Sequence, residues 1–407
     1  MATVLAYTSP ALGHLLPMAA LLAELAARGH RVHLRTLAGE VEHAAAQGFS
    51  AAPIDARIEA ITMDDWRASN PVAALRLSVS AFSRRAPYEV DDLRAAIAAV
   101  RPDGLLVDVN CWGAQTAAEA AGLPWATFSP YTPTLDVEGV PPFGLGLRPK
   151  AGILGRWRDA LVRAAVNRPL QRPAVAAITE LRDRLGLSPV ASLDAFLRRT
   201  PMLFLTTGTP FQYAGDWGEN VHMIGPCIPP RATGDPPSWL TAIDRPIVLV
   251  TTSSEQQNDA GLVSAAVAAL ADDPVHVVAT LPAGAPDGVT DRPHVTIRRY
   301  VDHDLVLARA VCAVTHGGMG GTQRALARGV PVCVVPFGRD QFEVARRAEV
   351  AGCGTRLPAR RLSVPRLREA IHEAMTMQQG AARVAEGFRA TGGVGRGADL
   401  FEQLMRR

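Results

Sequence analysis

Val311-Cys312-Ala313-Val314-Thr315 followed by His316-Gly317-Gly318-Met319-Gly320-Gly321-Thr322 is the stretch of this 407-residue chain whose reading decides the fold. The first five residues predict a buried strand, and residues 320–328 predict an amphipathic helix. The glycines between them make a tight strand-to-helix turn. Such a turn leaves backbone N–H groups pointing outward at a helix N-terminus, where the helix dipole favours negative charge. Glycine lets a diphosphate approach that backbone closely, His316 adds a side-chain donor, and Thr322 adds a hydroxyl. There is no GK[ST], and no GxGxxG follows the first strand, so this is neither a Walker loop nor a dinucleotide fingerprint. Taken alone, it also reads as an ordinary glycine-rich turn with a structural histidine.

The same alternation extends in both directions. Strands are predicted at 247–252, 276–280, 295–300 and 332–336, with helices from about 259 and over 341–351. Ser363 followed by Pro365 marks another helix start. The first half predicts strands at 3–8, 31–37, 103–107, 125–128 and 202–206, with a helix over 17–28. These runs are apolar without clean alternation, as parallel strands covered on both faces require. The expected fold class is α/β: two Rossmann-like, doubly wound parallel-sheet domains facing across a cleft. Residues 215–246 cluster Gly225, Pro226, Pro229, Pro230, Gly234, Pro236 and Pro237, the composition of a linker. The expected domains are therefore 1–214 and 247–407, with the last helix free to pack back on the first. Residues 130–152 form a long Pro/Gly-rich loop carrying Tyr131 and Phe143. Loops of this length inside a compact domain are commonly functional.

Composition closes off several classes. Lys plus Arg total 42 against 39 for Asp plus Glu, too even for a polyphosphate track, so no nucleic-acid partner is expected. The five cysteines (Cys111, Cys227, Cys312, Cys333, Cys353) show no CxxC or Cys/His ligand spacing and read as free thiols in a reducing cytosol. Residues 2–23 carry no charge, but Ser9, Pro10, Gly13, His14 and Pro17 break them up. That excludes a membrane span, and no basic start marks a signal peptide. A cytoplasmic protein is expected.

Two further strand ends carry chemistry. Gly13-His14-Leu15-Leu16-Pro17 follows the first strand, placing a histidine at the carboxyl edge of the sheet. With an ordinary pKa of ~6.5 it can act as a base near neutrality. Asp108 ends the run Gly104-Leu105-Leu106-Val107 and is its natural partner, able to hold the imidazole tautomer. Either residue alone reads more plainly as a helix cap or a strand end. Pro336-Phe337-Gly338-Arg339-Asp340-Gln341 sets a carboxylate beside an amide, suited to a sugar diol or to helix capping. Asp302-His303-Asp304 spells an Asp-x-Asp metal signature, but it falls in the loop after residues 295–300, away from the glycine turn.

His316 to Thr322, then Gly329-Val330-Pro331, then Asp340-Gln341, resemble the donor-binding signature of glycosyltransferase family 1, the GT-B group that contains plant secondary-metabolite and actinobacterial antibiotic glycosyltransferases. Gly13-His14 to Pro17 resembles its N-terminal motif, and the order fits along essentially the whole chain. The resemblance implies an inverting enzyme in which His14, paired with Asp108, deprotonates an acceptor hydroxyl. It implies donor binding by His316, Gly318, Gly320, Gly321 and Thr322 at the diphosphate, and by Asp340 and Gln341 at the sugar. Ser253, Ser254 and Val301 would complete the donor site. Ser253 stands where the family usually has glycine, so a serine hydroxyl would replace a close backbone contact. No catalytic metal and no cofactor are expected, the nucleotide sugar being a co-substrate.

Relatives using uridine donors place a ribose-gripping glutamate where this chain has Arg324, which favours thymidine diphosphate (TDP) and a deoxysugar. Trp66, Phe82, Trp112, Tyr131 and Phe143, in irregular stretches of the first half, are the candidates for an apolar, polyketide-type acceptor. Expected partners are that acceptor and a nucleotide-sugar donor, with room for a homodimer and no stable membrane insertion. A nucleotide-sugar epimerase and a non-catalytic nucleotide-sugar-binding or activator protein stand as alternatives.

Overall fold

A computed structural model describes the chain apart from residues 69, 133, 229–234, 255, 256, 258, 285–289 and 407 and the side chains of Pro71 and Asn167. Pro229, Pro230 and Gly234 of the expected linker thus lie outside the described residues. The first sheet contains β1 (Thr3–Tyr7), β2 (Arg31–Thr36), β3 (Ser50–Pro53), β4 (Gly104–Asp108), β5 (Trp125–Ser129), β6 (Leu203–Leu205) and β7 (Val221–Met223). The second contains β8 (Ile247–Thr251), β9 (His276–Thr280), β10 (Val295–Arg298), β11 (Ala310–Thr315), β12 (Val332–Val334) and β13 (Gly354–Arg356). Their orders are β3-β2-β1-β4-β5-β6-β7 and β10-β9-β8-β11-β12-β13, with every pair parallel.

This topology fixes where a ligand can sit. Strand order reverses between β1 and β4 in one sheet and between β8 and β11 in the other. At such switch points neighbouring connections leave on opposite faces, opening a crevice at the carboxyl ends. Tyr7 pairs with Val107, so the turn after β1 and the end of β4 stand side by side. Thr251 pairs with Thr315, which does the same for β8 and β11.

β1, β4, β5 and β8 are buried at every residue, because helices cover both faces of each sheet. The helix Gly393–Met405 returns to the first domain: Leu400, Phe401 and Leu404 join Val4, Leu21 and Phe204 in one cluster. Burying one such side chain contributes roughly 1.5–3 kcal/mol. The helix Pro71–Val100 crosses Trp112–Ala121 so closely that a Cβ at Gly113 would lie 1.8 Å from the Ala86 carbonyl oxygen.

Some expectations shift. The first helix begins at Leu12 rather than 17 and carries Pro17 inside it, so His14 sits in its first turn and not on a loop. Proline just past the first turn removes a single backbone bond, which packing of Leu15, Met18, Leu21 and Leu22 outweighs. The expected linker starts too early, since Val221–Met223 completes the first sheet as an edge strand. Phe82 and Trp112 lie on helices, not in irregular stretches.

Candidate active site

A cavity of ≈ 1220 Å³ lies between the carboxyl ends of the two sheets. On its first-domain wall, His14 Nδ1 stands 2.7 Å from Asp108 Oδ2, with the carboxylate fully buried and the imidazole 15% exposed. Asp108 Oδ1 accepts the Asn110 backbone N–H at 2.8 Å. A carboxylate held on both oxygens keeps the proton on Nδ1 and turns Nε2 toward the cavity. The Asn110 side-chain nitrogen lies 3.3 Å from Nε2, and Asn110 Oδ1 accepts from the Tyr131 hydroxyl at 2.7 Å. That orientation makes the Asn110 amide a donor to the Nε2 lone pair. Burial, with Asp108 and Asp340 nearby, pushes the Tyr131 phenol well above its ordinary value, so it remains a donor. Tyr131 also meets His14 edge-on, with centroids 5.7 Å apart, and Phe143 at 6.2 Å.

The second-domain wall is the glycine turn. His316 follows β11 with its side chain 12% exposed and Nδ1 3.8 Å from Asp259 Oδ2. That nitrogen has no hydrogen-bond partner among the described residues. Burial lowers the His316 pKa despite Asp259, so the ring is neutral at neutral pH and can donate from one nitrogen. A Cβ at Gly318 would lie 2.5 Å from His316 Nε2, so only glycine lets the ring rest there. The helix Met319–Ala327 opens at Gly318, and its first-turn N–H groups at Gly320 and Gly321 border the cavity. Ser253 and Ser254 line the same rim, and Asp259 Oδ2 accepts the Ser253 backbone N–H at 2.6 Å.

Not every expected residue faces the cavity. Thr322 is fully buried and its hydroxyl meets Thr315 Oγ1 at 3.0 Å, so it locks the turn instead of lining it. Gln341 borders the cavity, but its Oε1 accepts from the backbone of Phe337 (2.7 Å) and Gly338 (3.0 Å), while its amide donates to Gln257. Its hydrogen bonding therefore shapes the loop that presents Asp340. Asp340 lines the cavity, and burial raises its carboxyl pKa, with His14 among the charges that oppose the rise. Phe82, Trp112, Tyr131 and Phe143 line the first-domain arm. Trp66 does not: it is 38% exposed with Arg67 over its ring at 4.8 Å.

Val301 is buried, and both it and Arg324 line the cavity. Asp302 caps the helix His303–Leu307 by accepting the Asp304 N–H at 3.0 Å. Asp304, 1% exposed, meets Arg328 at 3.0 Å and Arg324 at 3.5 Å. The Asp-x-Asp carboxylates are thus a helix cap and a buried arginine-paired anion. Burial takes the His303 pKa down to about 4. Among the described residues, no group of three or more His, Cys, Asp or Glu is arranged to hold a metal.

Residues 263–391 match the family described as "Erythromycin biosynthesis protein CIII-like, C-terminal domain". Across 99% of this chain and 100% of the other, the sequence is 32% identical to 4'-demethylrebeccamycin synthase of Lentzea aerocolonigenes. The chain belongs to the glycosyltransferases of antibiotic biosynthesis. A solved structure, the glycotransferase of kitacinnamycin, superposes on this glycosyltransferase with a TM-score of 0.76 at 25% identity, over 99% of this chain and 98% of that one. Spinosyn rhamnosyltransferase, solved with thymidine diphosphate, shares the fold at a TM-score of 0.73 and 20% identity, covering 99% of each chain. The fold is GT-B.

Sequence reasoning missed four residues that organise the glycosyltransferase site. Asn110 follows Asp108 by two residues, a turn position that could have drawn attention. Asp259, read from sequence only as a helix start, lies just before the helix Gly261–Ala269 and faces His316. Asp65 accepts from Arg339 Nε at 2.7 Å and from a terminal guanidinium nitrogen at 2.9 Å, across the domain interface. Glu343 accepts the N–H groups of Gly144 and Gly146 from the long loop of the first domain. Such long-range pairs leave no local signature.

Proposed function

We propose that this glycosyltransferase transfers a sugar, with inversion and without a metal, from a nucleoside diphosphate to a hydroxyl of an apolar natural-product acceptor. The observation that carries the reading is the His14–Asp108 pair, its outer nitrogen aimed into a cavity whose far wall is the glycine turn. The acceptor hydroxyl would replace the Asn110 amide at His14 Nε2 and lose its proton there. Its oxygen would then bond to the anomeric carbon as the bond from that carbon to the diphosphate breaks on the opposite face. Base catalysis of this kind contributes roughly two to four orders of magnitude. Neutral His316 and the N–H groups of Gly320 and Gly321 would carry the departing charge as fixed donors, which need no reorganisation. An epimerase would leave the aromatic arm of the cavity without a purpose.

The donor nucleotide in this reading is TDP. Arg324 borders the cavity but is drawn to Asp302 and Asp304, and a guanidinium offers no acceptor for a ribose 2′-hydroxyl. A deoxyribose loses less at such a position than a ribose. Calorimetric titration of the two diphosphates tests this: tighter binding of TDP supports it, and tighter binding of uridine diphosphate overturns it.

A further inference from the structure

The helix Gly152–Val162 shows solvent an apolar face that none of the described residues covers: Ile153, Leu154, Trp157 and Leu161 are 62–70% exposed. Their spacing places them together on one side, opposite the buried Gly155 and Asp159. Arg156 and Arg158 flank that side on its two edges. From Arg148 to Arg172 the chain carries seven basic residues and one acid, whereas the whole protein has a net charge of only +3. Asp136 and Glu138 take Arg163 and Arg156, yet residues 136–172 still hold seven basic residues against three acids.

We propose that this face docks the enzyme on an anionic lipid bilayer. Large apolar side chains with Trp at the centre and arginines along both edges are what an in-plane interfacial helix presents to headgroups and acyl chains. No helix among the described residues can cross a membrane, so the contact is peripheral. A second copy of the chain fits less well. An eleven-residue helix offers a face roughly 16 Å by 10 Å, about 330 Å² from two copies, against the ~1,200 Å² of a stable interface. A two-fold contact would also oppose two segments of the same positive charge. The loop that carries Phe143 into the cavity runs through Arg148 and Lys150 directly into this helix. A docked enzyme therefore has Phe143, one side chain of its aromatic arm, on the loop that leads into the docked helix. The inference does not depend on the transfer mechanism.

Sedimentation of the full chain with phosphatidylcholine vesicles, with and without one third phosphatidylglycerol, tests it. The expected result is at least about tenfold stronger partitioning onto the anionic vesicles, abolished by high salt. Trp157→Glu with Leu161→Glu should remove binding to both, and thermal unfolding will show that the exposed pair leaves the fold intact. Arg148→Gln with Lys150→Gln should cut only the anionic preference, by roughly fivefold per residue. Wild-type protein that stays in the supernatant with both vesicles overturns the proposal. So does a wild-type dimer, seen by light scattering and lost in the Trp157/Leu161 variant, without vesicle binding.

Discussion

Replacing Glu343 with glutamine should loosen the wall of the cavity's aromatic arm from the opposite domain. Glu343 is buried on the helix Gln341–Val350, directly after the loop that presents Asp340. It accepts from Gly144 N–H at 2.9 Å, Gly146 N–H at 2.8 Å and Arg347 at 2.7 Å. Arg347 is itself 1% exposed, bonded to Gln212 at 2.8 Å and lying over the Tyr213 ring at 4.3 Å. Glutamine keeps the shape and one acceptor oxygen but removes the charge. That oxygen can keep the Gly144 and Gly146 N–H groups, each bond losing about 1 kcal/mol, but the new NH2 then meets Arg347 donor to donor and that bond is lost, for a total of about 3 kcal/mol or more. Loss of the whole group, as in Glu343→Ala, would strand a buried arginine at a cost of ~3–5 kcal/mol. Gly146 has no alternative seat: it holds φ +56, and a Cβ there would lie 2.4 Å from the Phe342 carbonyl oxygen. Denaturant unfolding should therefore show a loss near 3 kcal/mol in Glu343→Gln, and exchange at the Gly144 and Gly146 amides should quicken more than tenfold. Because the glycine turn is untouched, TDP affinity should stay within about twofold while the KM for acceptor rises. A loss under about 1 kcal/mol with unchanged exchange at both glycines would refute this reasoning.

Two other outcomes follow from groups near the cavity. Burial raises the Glu89 carboxyl from 4.5 to about 8, against the pull of the Gly113 N–H and Arg85. The fold holds that proton more tightly than the unfolded chain, so this contribution to stability is complete below about 4.5 and lost as pH rises through about 8. Glu89→Gln should thus gain on wild type between pH ~5 and ~8, by up to a few kcal/mol in urea unfolding, and a constant difference across that range would contradict the burial argument. Transfer activity should survive exhaustive EDTA treatment, since Asp302 and Asp304 are engaged as a helix cap and with arginines. Loss of activity restored by magnesium or manganese would return them to the role of ligands.

The α/β fold was legible because parallel strands buried on both faces read as apolar runs, as β1, β4, β8 and β11 do. The edge strands β3, β7 and β13 were not, because runs of three or four residues with small or polar side chains among them, such as Ser50–Pro53 and Gly354–Arg356, carry no such signal. The helix Pro71–Val100 contains Pro87, whose presence argues locally for a break that tertiary packing overrides. His14 and Asp108 could be paired from sequence, since His14 opens the helix after β1 and Asp108 ends β4, neighbouring strands at a switch point. The ties from Arg339 to Asp65 and from Glu343 to the 130–152 loop join residues about 200 or more apart, and only the docked domains reveal them. Thr322 and Gln341 show the converse, being residues of the signature whose hydrogen bonds are spent on holding the turn and the Asp340 loop.

The proposal that His14 is the base, in a domain separate from the diphosphate site, meets its most direct test in His14→Ala. Both transfer and TDP affinity should be measured on the same protein, using an aromatic aglycone and TDP-sugar pair that wild type turns over. We predict that transfer falls at least about a hundredfold while the calorimetric Kd for TDP stays within about twofold. A collapse of TDP affinity, with normal turnover by the complex that still forms, would make His14 a donor ligand and contradict the account.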